Sequence, residues 1–205
     1  GNFTLESAND LALLLRSGAL PAPLEVLEER TVGAGLGSDS IREGITASII
    51  GLIAVIVFMV LAYGLFGIFT TVTVLMNLFL MLGALSFMGA TLTLPGIAGI
   101  ILTIGMAVDA NVLIFERMRE EVKNGRSTKD AAEAGFTEAW GTIVDSNLTT
   151  LVAAFVLFYF GTGPVRGFAV TLAIGIATSM FTSVTVTRLI IASWLNKYKP
   201  TKLPI

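Results

Sequence analysis

One residue dominates any reading of what this sequence could do. Asp109 sits inside the apolar stretch Pro95–Phe115, a stretch long enough to cross a membrane as a helix. It falls about six residues, roughly 9 Å, from the inner end of that helix. A carboxylate at such depth costs about 2.5–3.5 kcal/mol on insertion scales. The cost falls when the group takes up a proton, because desolvation disfavours the charged form. A carboxyl group held there can load a proton on one side and release it on the other. The alternative is an aspartate that bonds a neighbouring helix as structural glue.

Other polar residues cluster near it. Asn111 is two positions on, about 200° around the helix, so it faces a different neighbour from Asp109. Glu116 is seven positions on, nearly beneath Asp109; it suits a proton exit, or a plain pair with Arg119. A later apolar segment opens Gly141-Thr142-Ile143-Val144-Asp145-Ser146-Asn147-Leu148-Thr149-Thr150. Asp145, Asn147, Thr149 and Thr150 crowd one end of it. Asp145 and Thr149, one turn apart, are expected to face Asp109, either as hydrogen-bond glue or as part of a hydrated path. A third stripe, Gly167, Thr171, Gly175, Thr178, Thr182 and Thr185, has the small-residue spacing of close helix packing.

Composition says what must position these groups. Of 205 residues, 54% are hydrophobic and 14% charged, and the mean hydropathy is +0.83. Soluble domains carry about 25% charged residues, so this is an integral membrane protein. There is no Cys and no His, which excludes disulfides, thiolate or imidazole metal sites and imidazole acid–base catalysis. No cofactor is expected beyond a proton gradient, and no enzymatic role. A net charge of −2 gives no electrostatic reason for nucleic-acid binding.

Five crossings are expected, about 44–64, 67–89, 94–115, 142–160 and 165–194, with tight uncharged turns at Gly64–Gly67 and Thr91–Pro95. Pro95 suits the first turn of its helix. Arg117, Arg119, Lys123, Arg126 and Lys129 fill the long connection before the fourth crossing; Arg188, Lys197, Lys199 and Lys202 fill the C-terminal end. The first 43 residues hold Arg16, Arg30 and Arg42 against seven acids. The basic segments fall on one side if the N-terminal segment is outside and the C-terminal tail, 196–205, is cytoplasmic. Ser127 and Asp130 mark a helix start, and residues 127–140 read as a helix on the inner membrane surface with Phe136 and Trp140 toward the headgroups. Residues 1–43 read as soluble: a helix opening at Ser7 and Asp10 with Leu11, Leu14 and Leu15 on one face, a stop at Gly18, and a strand carrying Leu24, Val26, Glu28, Arg30 and Val32. The chain opens Gly1-Asn2-Phe3 with no initiator methionine or basic n-region, which suggests a piece beginning inside a domain.

Five segments together resemble the SecD branch of the SecD/SecF family of bacterial protein-export subunits, within the RND transporter superfamily. They are Ala90-Thr91-Leu92-Thr93-Leu94-Pro95-Gly96-Ile97-Ala98-Gly99, Val108-Asp109-Ala110-Asn111-Val112-Leu113-Ile114-Phe115-Glu116-Arg117, Asp145-Ser146-Asn147-Leu148-Thr149-Thr150, Gly161-Thr162-Gly163-Pro164-Val165-Arg166-Gly167-Phe168 and Thr178-Ser179-Met180-Phe181-Thr182. The resemblance spans about residues 20 to 195 and implies an all-α polytopic membrane bundle. Its five transmembrane helices would be the second to sixth of six, half of an RND-type pseudo-symmetric bundle. Residues 1–43 would be a short α+β remnant of the base of a periplasmic domain. Asp109 matches the carboxylate proposed to carry protons in the family, with Asn111, Asp145, Asn147, Thr149 and Glu116 as supporting positions. The implied function is proton-motive-force-coupled assistance of protein translocation across the bacterial inner membrane. Implied partners are SecF, the SecYEG translocon with SecA, YajC and YidC, membrane lipid, and an unfolded preprotein gripped by the periplasmic domain. The SecF arginine that would pair with the carboxylate corresponds to a position near Gly141, where this chain has no cation, so a charge partner is expected from the other subunit. Rival readings are an RND exporter of small molecules or lipids, an intramembrane aspartyl protease using Asp109 and Asp145, and a non-catalytic membrane scaffold.

Overall fold

The computed structural model describes residues 4–17, 34–201, 203 and 204. Among them every regular element is a helix. The strand expected over Leu24–Val32 and the stop at Gly18 lie outside the described residues, as do the side chains of Leu14 and Leu15.

Helix α1, Leu5–Ser17, belongs to a separate unit, Gly1–Leu36. Its start lies three residues before the expected one. Thr4 is the cap, its Oγ1 accepting from the Ser7 N–H at 3.3 Å, so Ser7 is already in the first turn. Leu11 is exposed.

The second unit, Gly37–Ile205, holds the bundle. Helix α2, Ala34–Phe87, is broken at Gly64, whose φ of 53° and ψ of −122° no helix contains. Glycine adopts that backbone without Cβ strain. A Cβ on Gly67 would overlap the Met59 carbonyl eight positions earlier, which a straight helix would hold about 12 Å away. The chain therefore folds back on itself, and the two arms are the first two expected crossings. Helix α3, Leu94–Lys123, starts at Thr93, which accepts from the Gly96 N–H at 3.2 Å, with Pro95 in the first turn as expected. It runs eight residues past the expected end at Phe115.

Helix α4, Thr128–Phe160, corrects the expected organisation. Ser127 does cap it, accepting from the Asp130 N–H. But the expected surface helix, 127–140, and the crossing that follows are one uninterrupted helix of 33 residues. With no break there, the face that packs inside the bundle continues through the N-terminal half. Phe136 is buried in the core instead of turning to the headgroups, and Trp140 remains half exposed. Helix α5, Gly163–Met180, passes through a π-helical turn, Phe181–Val186, into α6, Thr187–Tyr198.

Four helical stretches are long and apolar enough to cross a membrane: Ser38–Phe87, which contains both α2 arms, Leu94–Lys123, Thr128–Phe160 and Gly163–Tyr198. α3 is the axis of the unit, packed on α4 and α5. The small-residue stripe makes the α3–α5 contact: a Cβ on Gly175 would overlap the Thr103 side chain, and Thr171 lies against Gly96 and Gly99. At the far end of α3 an aromatic cluster closes the core, with Phe66 and Phe115 ring centres 5.4 Å apart and Phe66 and Trp194 5.9 Å apart. Large apolar side chains such as Leu61, Phe79, Phe155 and Tyr159 are exposed on the outside, as they are where hydrocarbon is the solvent.

Candidate functional site

Three turns of α3 carry the candidate chemistry on two different faces. Asp109 lies on an outward face that is exposed in this chain, in line with the equally exposed Leu102 and Gly105. Among the described residues, none forms a hydrogen bond or ion pair with its carboxylate. The glue reading of Asp109 therefore finds no bond among the described residues. Asp109 borders a cleft of about 200 Å³ between α3 and α4, with Ser146, Asn147 and Thr150 across from it.

That register differs by one position from the expected one. Asp145 and Thr149 do not line the cleft. Both are exposed, and the Thr149 hydroxyl donates to the Asp145 backbone carbonyl at 2.9 Å, along its own helix. The side chains that do face Asp109 belong to Ser146, Asn147 and Thr150, because each residue step turns the helix by about 100°. Asn147 is buried, its amide donating to the Ile143 carbonyl at 2.7 Å. With Asp145 off the cleft, the paired carboxylates an aspartyl protease needs are not assembled here.

Below Asp109 the α3–α4 groove continues. Leu113 lines both the Asp109 cleft and a second, of about 380 Å³, lined by Glu116, Arg119 and Glu120. Glu116 is tied down at its mouth: its Oε1 accepts from the Tyr63 hydroxyl at 2.9 Å and from Arg119 at 2.8 Å. The Arg119 guanidinium also stacks 5.3 Å from the Tyr63 ring centre.

The opposite face of α3 builds a polar seam inside the core. Asn111 is fully buried; its Nδ2 donates to the Ala107 carbonyl at 3.1 Å and its Oδ1 accepts from the Thr187 hydroxyl at 3.0 Å. Asn111 does face away from Asp109 and bonds the first residue of α6. Thr73, from the second arm of α2, lies 3.3 Å from the same hydroxyl. Ser183, in the π-helical turn, donates to the Ala107 carbonyl at 3.3 Å. The seam runs on to Thr70 and to Asn77, which is completely buried and has neither its amide nitrogen nor its oxygen bonded. Sequence reasoning passed over this arm. The signal was there: Thr70, Thr73 and Asn77 recur at three- and four-residue spacing in an otherwise apolar helix. Among the described residues no cluster of Asp or Glu could hold a metal ion.

Comparison with known proteins places this geometry. The family model for the C-terminal part of the SecD/SecF protein export membrane proteins matches residues 18–197. The chain is 56% identical over 203 residues to the protein translocase subunit SecD of Rickettsia prowazekii (strain Madrid E), covering 99% of this chain and 39% of that protein. It is 56% identical over 205 residues to the corresponding subunit of Calditerrivibrio nitroreducens, covering all of this chain and 40% of that protein. It spans about two-fifths of the length of these curated relatives. The crystal structure of SecDF, a translocon-associated membrane protein from Thermus thermophilus, superposes with a TM-score of 0.84 at 44% identity, over 98% of this chain and 28% of that one. A crystal structure of SecDF in a super-membrane-facing form gives 0.76 at 44% identity, over 95% and 27%.

Proposed function

Because the chain belongs to the SecD/SecF family of protein export membrane proteins, we propose that it is the membrane-spanning part of a proton-driven export subunit and that Asp109 is its proton carrier. The observation that carries this reading is the position of one carboxylate. Asp109 lies mid-helix on an exposed face, with no bond among the described residues, on a cleft lined by hydroxyl and amide groups. Left unpaired against lipid, such a group costs about 2.5–3.5 kcal/mol. That cost is relieved by protonation or by a cation from elsewhere in the assembly.

In this reading the exposed strip of Leu102, Gly105 and Asp109 packs against SecF, whose arginine pairs with the ionised carboxylate. Ser146, Asn147 and Thr150 hydrate it, and the lower cleft at Glu116 connects it to one side of the membrane. Protonation releases the arginine and repacks the interface. The motion is passed to a periplasmic domain that holds an emerging unfolded chain delivered by SecYEG with SecA; YajC and YidC complete the assembly. Moving one charge through 100 mV supplies about 2.3 kcal/mol, a shift of about fiftyfold in a two-state equilibrium.

The test is gradient-driven export by the intact subunit pair, comparing wild type with Asp109→Asn. Asparagine keeps size and hydrogen bonding but cannot change charge. Normal insertion with loss of the gradient-dependent part of export is the expected result. Full gradient dependence in the mutant would remove Asp109 from the proton path.

A further inference from the structure

At the end of the bundle where α3 hands over to α4, two adjoining clefts of about 180 and 320 Å³ share Phe136 and Arg188. The first lies between the N-terminal part of α4 and α6. Its floor is apolar, with Ile191 and Leu195 buried, and its rim carries Lys129, Glu133 and Arg188. The second is bordered by Val184, from the π-helical turn, and by the half-exposed Trp140.

The cations of these clefts are not neutralised by ion pairs, in contrast to Arg117, Arg119 and Arg126, which each meet a carboxylate, at 2.6, 2.8 and 2.7 Å. Among the described residues no carboxylate pairs with Arg188, although Glu133 borders the same cleft. Its guanidinium instead lies 5.9 Å from the centre of the Phe136 ring. Lys129 is likewise unpaired among the described residues. Two cations and one carboxylate leave the cleft one positive charge, the complement of a single phosphodiester. The apolar floor and the tryptophan on the rim are what an acyl chain and a membrane interface call for. A basic pocket between transmembrane helices that opens onto apolar surface has the form of a headgroup site.

We propose that these joined clefts bind one anionic phospholipid, its phosphodiester between Arg188 and Lys129 and an acyl chain over Val184 and Trp140. The proposal rests on the chain lying in a membrane and is independent of what Asp109 does.

The test uses the full-length protein containing this chain, in nanodiscs of phosphatidylcholine. Brominated phosphatidylglycerol or brominated phosphatidylcholine is titrated in, and the Trp140 signal is isolated by subtracting the Trp140→Phe variant. Selective quenching by the brominated phosphatidylglycerol is expected. Each cation near an anionic headgroup is worth about fivefold in affinity, so Lys129→Gln with Arg188→Gln should weaken the lipid by about twenty-fivefold. Arg188→Lys, which keeps the charge, should retain most of the selectivity and so controls for folding. Equal quenching by the two lipids, or unchanged selectivity in the double variant, would overturn the proposal. So would complete displacement by soluble glycerol phosphate, which would make the clefts a site for free anions and not for lipid.

Discussion

The Thr187 hydroxyl donates to Asn111 Oδ1 at 3.0 Å, joining α3 to the first residue of α6, just past the π-helical turn. Thr187 has one proton and two other acceptors within reach, the Thr182 carbonyl at 3.2 Å and Thr73 Oγ1 at 3.3 Å. This contact fixes the rotation of α3 two residues away from Asp109. It holds the amide inward, and so keeps the carboxylate outward.

Removing that hydroxyl should be felt at a distance. Thr187→Val leaves Asn111 Oδ1 buried and unbonded, at a cost of about 1–3 kcal/mol. A double-mutant cycle with Asn111→Leu, read by thermal unfolding of the full-length protein in detergent, should give a coupling of about 0.6 kcal/mol, and at most about 1.7. Additive effects would mean the two side chains do not share the bond.

Asn77 predicts the opposite sign. Its amide is buried with both polar atoms unbonded, and an unsatisfied buried group costs about 1–3 kcal/mol. Asn77→Leu, of similar volume, should raise the unfolding temperature. If unfolding falls to lower temperature instead, the amide is bonded in the membrane, and hydration of the seam becomes the thing to measure.

The close approach of α5 to α3 is tested by adding a single methyl. Gly175→Ala would drive its Cβ into Thr103 and should destabilise the bundle by about 1–3 kcal/mol. Trimming the partner with Thr103→Gly in the same protein should restore much of that loss. Failure of the second change to rescue the first would show that the two helices adjust by sliding.

Gly64 should resist replacement for a backbone reason. At φ 53° and ψ −122° the backbone lies outside the left-handed helical well, in a region where glycine alone sits without strain, so alanine and asparagine both pay about 1–3 kcal/mol. Expression and unfolding temperature should fall in Gly64→Ala and in Gly64→Asn alike. Wild-type values in either variant would argue against a strained fold-back.

Much of this was readable in the sequence, for definite reasons. Asp109 stands out because a charge in an apolar run is costly whatever surrounds it. Pro95, through its fixed φ and missing N–H, and Ser127 with Asp130, through local hydrogen bonding, announce helix starts. What sequence could not provide was helix rotation. The step from Asp145 and Thr149 to Ser146, Asn147 and Thr150 is about one residue's turn, and packing decides it. Phe136 reads as surface for a related reason: Gly141 looks like a boundary, but α4 runs through it without a break. The π-helical turn at Phe181–Val186 leaves no mark in residue types, since it answers to tertiary bonds made by Ser183 and Thr187.

The unbroken course of α4 carries a mechanical implication. At 33 residues and about 1.5 Å each, it is a rod of about 50 Å, well beyond the roughly 30 Å of hydrocarbon. Asn147 grips the Asp109 cleft near its middle, and Phe136 seats its near end beside Arg188. A stiff rod seated at two separated points couples them: on the proposed role of Asp109, a change in its charge that tilted α4 at Asn147 would load the seat at Phe136, about 16 Å away along the helix axis.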